Sequence, residues 1–324
     1  MNVKTIKEHI KKYDAFYLTG AFIFWFLLLI LLATVGQTPP YNSLAVDMGF
    51  LQIAWYAIFI LSGIGMATIM AFREAKRLNI NSNHLSDAIL IAVPLAIVGA
   101  RLYYVIFDPV KSNYKSFLDV INIAGGGLAI HGAVIITLIF VVIYTRIRKL
   151  NIWALLDILA PGFLLGQIVG RWGNFFNQEA HGGLMSDKAY NFLNYVLPKF
   201  IMENMYMTES GETGYFHPTF LYEGLWNLLG LIIILIVRRK KLLKLGDLIG
   251  YYLIWYGLGR GLLIEPFRTD PLYIGGIRVN ILFSLTLFVL GGVSFLVVKN
   301  ILFRELPYYY EYVLENEGKW KEKK

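Results

Sequence analysis

The sequence predicts an all-α fold: a polytopic membrane helical bundle of about eight transmembrane helices, with a small extracytoplasmic head segment. Three observations carry this expectation. Of 324 residues, 57% are hydrophobic and only 16% are charged. The mean hydropathy is +0.56. The apolar residues fall in blocks of about 20, the length that crosses a bilayer core. A soluble domain of this length needs far more polar surface.

The first block covers 16–35 and follows Lys4, Lys7, Lys11 and Lys12. A basic start also suits a signal peptide. This block is longer than a signal h-region and no small-x-small site closes it, so it reads as an uncleaved membrane helix. Further blocks run over 51–72, 86–107, 127–145, 152–172, 218–237, 247–265 and 280–302. Pro94 and Pro161 fall inside blocks, where membrane helices tolerate kinks.

Basic residues follow alternate blocks: Arg73, Lys76 and Arg77; Arg146, Arg148 and Lys149; Arg238 to Lys241 and Lys244; Lys299, Arg304 and a lysine-rich tail. The positive-inside rule then places both termini in the cytoplasm. The expected organisation is an extra N-terminal helix (1–36), a membrane core (37–303) with a head segment at 175–216, and a charged cytoplasmic tail (304–324). Within the head, Tyr190–Met207 reads either as an amphipathic segment on the membrane surface or as a folded loop, with Pro198 interrupting any helix.

Several classes are disfavoured. The net charge of +8 is concentrated between apolar blocks, which fits membrane orientation and not nucleic-acid binding. The absence of cysteine removes disulfides, thiolate metal sites and a cysteine nucleophile. His181 and His217 lack close-spaced ligand partners, so no metal or cofactor is expected. No whole-chain repeat suggests a transporter.

Ionisable residues inside spans are costly and mark function by default. On the expected topology, Tyr56, Arg101, His131, Arg171, Glu223, Arg260, Glu265 and Arg268 gather toward the outer ends of their spans. Asp87, Asp157 and Asp247 lie in the first turns of cytoplasmic helix ends, where an acid meets the positive end of the helix dipole and reads as structural. Arginine's planar fork grips phosphate, so an arginine cluster level with lipid headgroups points to an anionic lipid. The alternative is that these arginines snorkel, or pair with Glu223 and Glu265.

Gly170–Gly183 reads GRWGNFFNQEAHGG and begins where a span ends. Gly170 and Gly173 permit close backbone approach. Arg171, Asn174, Asn177, Glu179 and His181 supply donors and acceptors. The stretch resembles the signature of the prolipoprotein diacylglyceryl transferases. IAWYAIF (Ile53–Phe59), GARLYYVIF (Gly99–Phe107), GGLAIHG (Gly126–Gly132), HPTFLYE (His217–Glu223) and WYGLGR…IEPFRTD (Trp255–Asp270) resemble that family's other segments in the same order. The resemblance covers roughly residues 45–300.

It implies transfer of the diacylglyceryl group of phosphatidylglycerol to the lipobox cysteine thiol of a prolipoprotein signal peptide. A thioether forms and glycerol 1-phosphate leaves, at the outer leaflet of a bacterial plasma membrane. The implied partners are phosphatidylglycerol, the prolipoprotein and membrane lipids. By the same resemblance Arg171 and Arg260 hold the lipid phosphate. His131 either takes the thiol proton or hydrogen-bonds the headgroup. Tyr56, Asn174 and Glu179 orient the lipid or the arginines. Arg101, Asn177, Gly182, Tyr256, Glu265 and Arg268 complete the expected binding set.

The sequence departs from the family pattern twice. Glu265 stands five residues after Arg260 where four is usual, which on a helix turns the pair apart by about 100° unless a bulge absorbs the extra residue. Asn280 stands where a longer amide is usual. Residues before about Gln37 lie outside the resemblance and are expected to be an anchor.

Overall fold

The computed structural model describes residues 14–108, 116–122, 127, 129–269, 273–274 and 276–322. The basic stretch Lys4–Lys12, Gly125, Gly126 and Asp270 lie outside the described residues. Among those described, the long apolar helices are α1 (Asp14–Thr34), α2 (Trp55–Arg77), α3 (Ser82–Phe107), α5 (Ile130–Arg148), α6 (Ile152–Phe176) and α9 (Thr219–Val237). A short helix, α4 (Phe117–Ile121), precedes α5. The eighth apolar block is helical throughout Val279–Leu302, as α11 (Val279–Phe283), a π-helical stretch (Ser284–Leu290) and α12 (Gly291–Leu302). Together these form seven helices long and apolar enough to cross a membrane. Side chains such as Leu61, Leu90, Leu138, Leu225 and Leu287 remain exposed along them, the surface expected to face lipid. The protein is a multi-pass, all-α membrane bundle.

The seventh block departs from a plain helix. It is α10 (Asp247–Leu258), then a π-helical stretch (Gly259–Ile264), then a 3-10 turn (Glu265–Phe267). The head contains α7 (Asp187–Val196), α8 (Lys199–Asn204) and the antiparallel hairpin β3 (Tyr206–Glu209) and β4 (Glu212–Tyr215). Pro198 separates α7 from α8 and caps the second, as a residue without an N–H can at a helix start. Hairpins β1 (Leu44–Asp47)–β2 (Gln52–Ala54) and β5 (Tyr273–Ile274)–β6 (Ile277–Arg278) precede α2 and α11. The C-terminal tail carries α13 (Tyr309–Glu322).

The chain divides into two compact units. The first comprises Met1–Met70, Ala160–Lys240 and Asp247–Glu305. Its core is aromatic: Phe59 stacks on Phe176 at 5.4 Å, Phe175 lies 4.7 Å from Phe220, and Trp172 meets Phe26 edge-on at 5.4 Å. Leu29 and Ala33 of α1 are buried in the same cluster. The N-terminal helix therefore packs on the signature helix. Trp226 of α9 and Trp255 of α10 stack at 4.1 Å, and each indole N–H donates to the other's backbone carbonyl, at 3.0 and 3.1 Å. Gly230 and Gly259 make the room, since a Cβ on either would run into an indole. In this unit Asp247 accepts from buried Lys299 Nζ at 2.6 Å and from Asn300 at 2.9 Å.

The second unit comprises Ala71–Leu159, Lys241–Gly246 and Leu306–Lys324. Here α3 and α5 close on glycines: a Cβ on Gly99 would lie 2.7 Å from the Gly132 carbonyl. Asp157 accepts from the Gly246 N–H at 2.7 Å, and Asp87 pairs with Arg148 at 3.3 Å. Asp87, Asp157 and Asp247 thus all have structural partners. Fully buried Tyr309 anchors α13 by donating to Glu74 Oε1 at 2.7 Å.

Candidate active site

The last turns of α6 carry the first half of the signature. Arg171 Nη2 donates to Glu223 Oε1 of α9 at 2.6 Å, and its Nη1 to Asn174 Oδ1 at 3.3 Å. Asn174 Nδ2 in turn donates to Glu179 Oε1 at 2.9 Å. The Glu223 side chain is 6% exposed and that of Arg171 27%. The carboxylate is sealed and the guanidinium still has an open edge. Tyr56 lies across the same helix because Gly173 has no side chain; a Cβ there would sit 2.8 Å from the Tyr56 ring.

After α6 the chain turns sharply through Gln178 (φ 50°) and Ala180 (φ 55°). Left-handed backbone is uncommon for residues with a Cβ and persists only where its surroundings hold it. They do: Gln178 Nε2 donates to the Asn204 carbonyl at 2.8 Å, and Thr219 Oγ1 to the Ala180 carbonyl at 2.6 Å. Asn204, fully buried, bonds the Phe175 carbonyl and the Tyr41 N–H. Gly182 and Gly183 then thread between two segments. Gly182 N–H donates to the His217 carbonyl at 2.8 Å, and Gly183 N–H to the Phe267 carbonyl at 2.7 Å. A Cβ on Gly182 would lie 2.7 Å from His217 Cβ and 2.8 Å from the Phe267 carbonyl, so the position requires glycine. Gly182 also bridges Arg268. His181, beside it, reaches Glu209 of β3 through Nε2 at 2.8 Å. Burial lowers the pKa of His217, whose Nδ1 lies 3.0 Å from the Tyr222 hydroxyl.

The second arginine is held differently. Arg260 Nη1 lies 2.9 Å from Glu265 Oε2, and the Glu265 side chain is 1% exposed. The five-residue spacing is absorbed by the π-helical stretch, in which Glu265 N–H donates to the Arg260 carbonyl. Asn280, although shorter than the usual amide, donates to Glu265 Oε1 at 3.1 Å. Arg278 adds a donor to the Glu265 carbonyl. Tyr256, four residues before Arg260 on the same span, stacks on Tyr252 at 6.0 Å and meets Phe288 edge-on at 4.9 Å.

The first unit therefore holds two clusters, one of Tyr56, Arg171, Asn174 and Glu179 and one of Arg260 and Glu265 with Tyr256 a turn before, and Gly182 and Arg268 joined by their own bridge. Asn177 follows one turn after Gly173, donating its N–H to that carbonyl at 3.1 Å. Arg101 and His131 belong to the second unit. Arg101 has a structural duty there, donating to the carbonyls of Val120 (2.7 Å), Asp119 (2.7 Å) and Gly127 (3.1 Å). His131 is exposed and its ring stacks on Tyr103 at 5.7 Å. Sequence reasoning missed Arg278, Asn204 and the His181–Glu209 pair. Their partners are distant in sequence, and no local spacing announces them.

A site of two carboxylate-held guanidiniums, phenols and amides suits a phosphate-bearing ligand better than hydrolytic or metal chemistry. The family profile of the prolipoprotein diacylglyceryl transferases matches residues 43–297. A phosphatidylglycerol–prolipoprotein diacylglyceryl transferase of Streptococcus agalactiae is 46% identical over 251 residues, which is 77% of this chain and 93% of the relative. Its counterpart in Streptococcus pyogenes is 46% identical over 272 residues, 83% and 99% of the two chains. One from Bacillus cytotoxicus is 40% identical over 266 residues, 82% and 95%.

Proposed function

Since the chain belongs to the prolipoprotein diacylglyceryl transferase family, we propose that it transfers the diacylglyceryl group of phosphatidylglycerol to the lipobox cysteine of prolipoproteins, the first step of bacterial lipoprotein maturation. The thiolate sulfur attacks the glycerol carbon that bears the phosphate oxygen. The C–O bond breaks, its electron pair leaves with glycerol 1-phosphate, and a C–S bond forms. Arg171 and Arg260 hold the phosphate and stabilise the charge on the leaving group. For His131, which belongs to the second unit, the family resemblance implies either removal of the thiol proton or a hydrogen bond to the headgroup. Tyr56, Asn174, Glu179 and Tyr256 orient the lipid and the guanidiniums; Asn177, Gly182 and Arg268 shape the loop over them. Glu265 positions Arg260, and Arg101 orders the segment that leads into His131. The observation that carries this reading is a pair of guanidiniums in one unit, each held by a buried carboxylate, Arg171 by Glu223 at 2.6 Å and Arg260 by Glu265 at 2.9 Å.

Orientation follows from charge. Lys76 and Arg77 end α2, and Arg146 and Arg148 end α5. With those ends cytoplasmic, both termini are cytoplasmic, the head segment is outside and the site meets the outer leaflet. Residues 37–303 form the catalytic core, 1–36 an accessory helix and 304–324 a cytoplasmic tail.

The test uses purified protein, phosphatidylglycerol vesicles and a lipobox peptide. The expected product is a peptide carrying a thioether-linked diacylglyceryl group, with one glycerol 1-phosphate released per peptide modified. Absence of that product under conditions in which a streptococcal relative forms it would overturn the proposal.

A further inference from the structure

A second polar layer lies one helical turn from the arginine layer, toward the middle of the spans, and the transfer chemistry above leaves it unused. Gln167 precedes Arg171 by four residues on α6, Asn227 follows Glu223 by four on α9, and Tyr252 precedes Tyr256 by four on α10. Residues four apart share a helix face. The layers run alongside each other, since Arg171 reaches Glu223 at 2.6 Å and Gln167 Nε2 donates to the Tyr252 hydroxyl at 3.0 Å.

Asn227 is 1% exposed, yet among the described residues its amide nitrogen has no hydrogen-bond acceptor. A buried donor without a partner is costly and needs an explanation. Space lies beside it. Gly224 is buried, but a Cβ built there meets no atom within 4 Å. At about 100° per residue, Asn227 falls between Glu223 and Gly224 around the helix. An unpartnered donor thus borders an open slot adjoining the Arg171–Glu223 pair.

We propose that this slot receives the glycerol ester region of the donor lipid, with Asn227 Nδ2 donating to an acyl ester carbonyl. The inference rests on the transferase reading above. When the phosphate sits at the arginines, the ester carbonyls lie one glycerol unit away, a distance of the order of one helical turn. Ester carbonyls are acceptors only, which matches an amide donor. The apolar spans beyond Asn227 would then lie alongside the acyl chains.

The bond that breaks joins glycerol to phosphate, so the esters are spectators and a diether phosphatidylglycerol is chemically competent as donor. The experiment measures kcat/KM for the wild type and for Asn227→Leu with diester and diether phosphatidylglycerol in the same vesicles. The wild type is expected to prefer the diester by about tenfold, the worth of one hydrogen bond. Asn227→Leu should lose most of that preference through the diester arm alone, and its melting temperature should hold or rise because a lone buried donor is gone. Equal use of both donors by the wild type overturns the subsite while leaving the transferase reading intact. So does an unchanged preference in Asn227→Leu. No product from either donor overturns the transferase reading and the subsite with it. Should Asn227→Leu not fold, Gly224→Val gives a second measurement: filling the slot should raise KM for both donors equally, and an unchanged KM counts against the slot.

Discussion

Arg171 and Arg260 are each clamped by a buried carboxylate, and this changes what their substitution reports. Replacing Arg171 with alanine would strand Glu223, whose side chain is 6% exposed. Removing one partner of such a buried pair costs about 3–5 kcal/mol, so lost activity would be confounded with lost stability. Arg171→Lys is the cleaner probe. It keeps the charge on Glu223 but loses the planar fork, and should lower kcat/KM by about 10²–10³-fold, the usual effect of removing one donor to developing charge. The melting temperature in detergent should fall little, and wild-type turnover in that variant would remove the phosphate-holding role. Sequence alone located these arginines and left open whether they grip a ligand or pair with Glu223 and Glu265. The pairs are present, and the two roles are compatible because Arg171 keeps an exposed edge. What stayed hidden was which residues meet across long separations. The tie from Asn204 to Tyr41 spans 163 positions and leaves no local pattern.

The π-helical stretch Gly259–Ile264 is a case where a sequence irregularity was legible but its resolution was not. Five residues separate Arg260 from Glu265, and either displacement or a bulge would answer that spacing. The structure chooses the bulge, because Asn280 and the Arg260 guanidinium together fix the Glu265 carboxylate. Deleting exposed Leu262 should therefore be tolerated. The stretch would relax to α-helix, the two residues would stand four apart and still face each other, and transfer should stay within about tenfold of wild type. Inserting one alanine at the same place should cost about 100-fold or more, as misplacement by an ångström can. Loss of activity in the deletion equal to that in the insertion would refute this account. The long spans were readable because twenty apolar residues admit little else in a bilayer. The hairpins and α13 were not, since short strands and a polar helix are fixed by tertiary partners such as Glu74 under Tyr309.

For the molecule as a whole, stability is expected to depend on pH through His217. Burial holds its pKa below the ordinary 6.5. Between the two values the unfolded chain binds more protons than the folded one, so stability falls as pH drops through about 6.5 and levels off below the folded-state value. The melting temperature of His217→Gln should lack this component, and parallel wild-type and variant curves from pH 7.5 to 5 would exclude it. The apolar spans were legible from hydropathy. The tryptophan pair that binds α9 to α10 was not, because Trp226 and Trp255 lie on different spans. That pair also fixes part of the wall of the site. Two indoles riveted face to face, each bonded to the other's backbone, make one slab of the wall that carries Glu223, Tyr256 and Arg260. Glu223, Tyr256 and Arg260 thus keep their mutual spacing on one surface, tied to α6 by the Arg171–Glu223 pair.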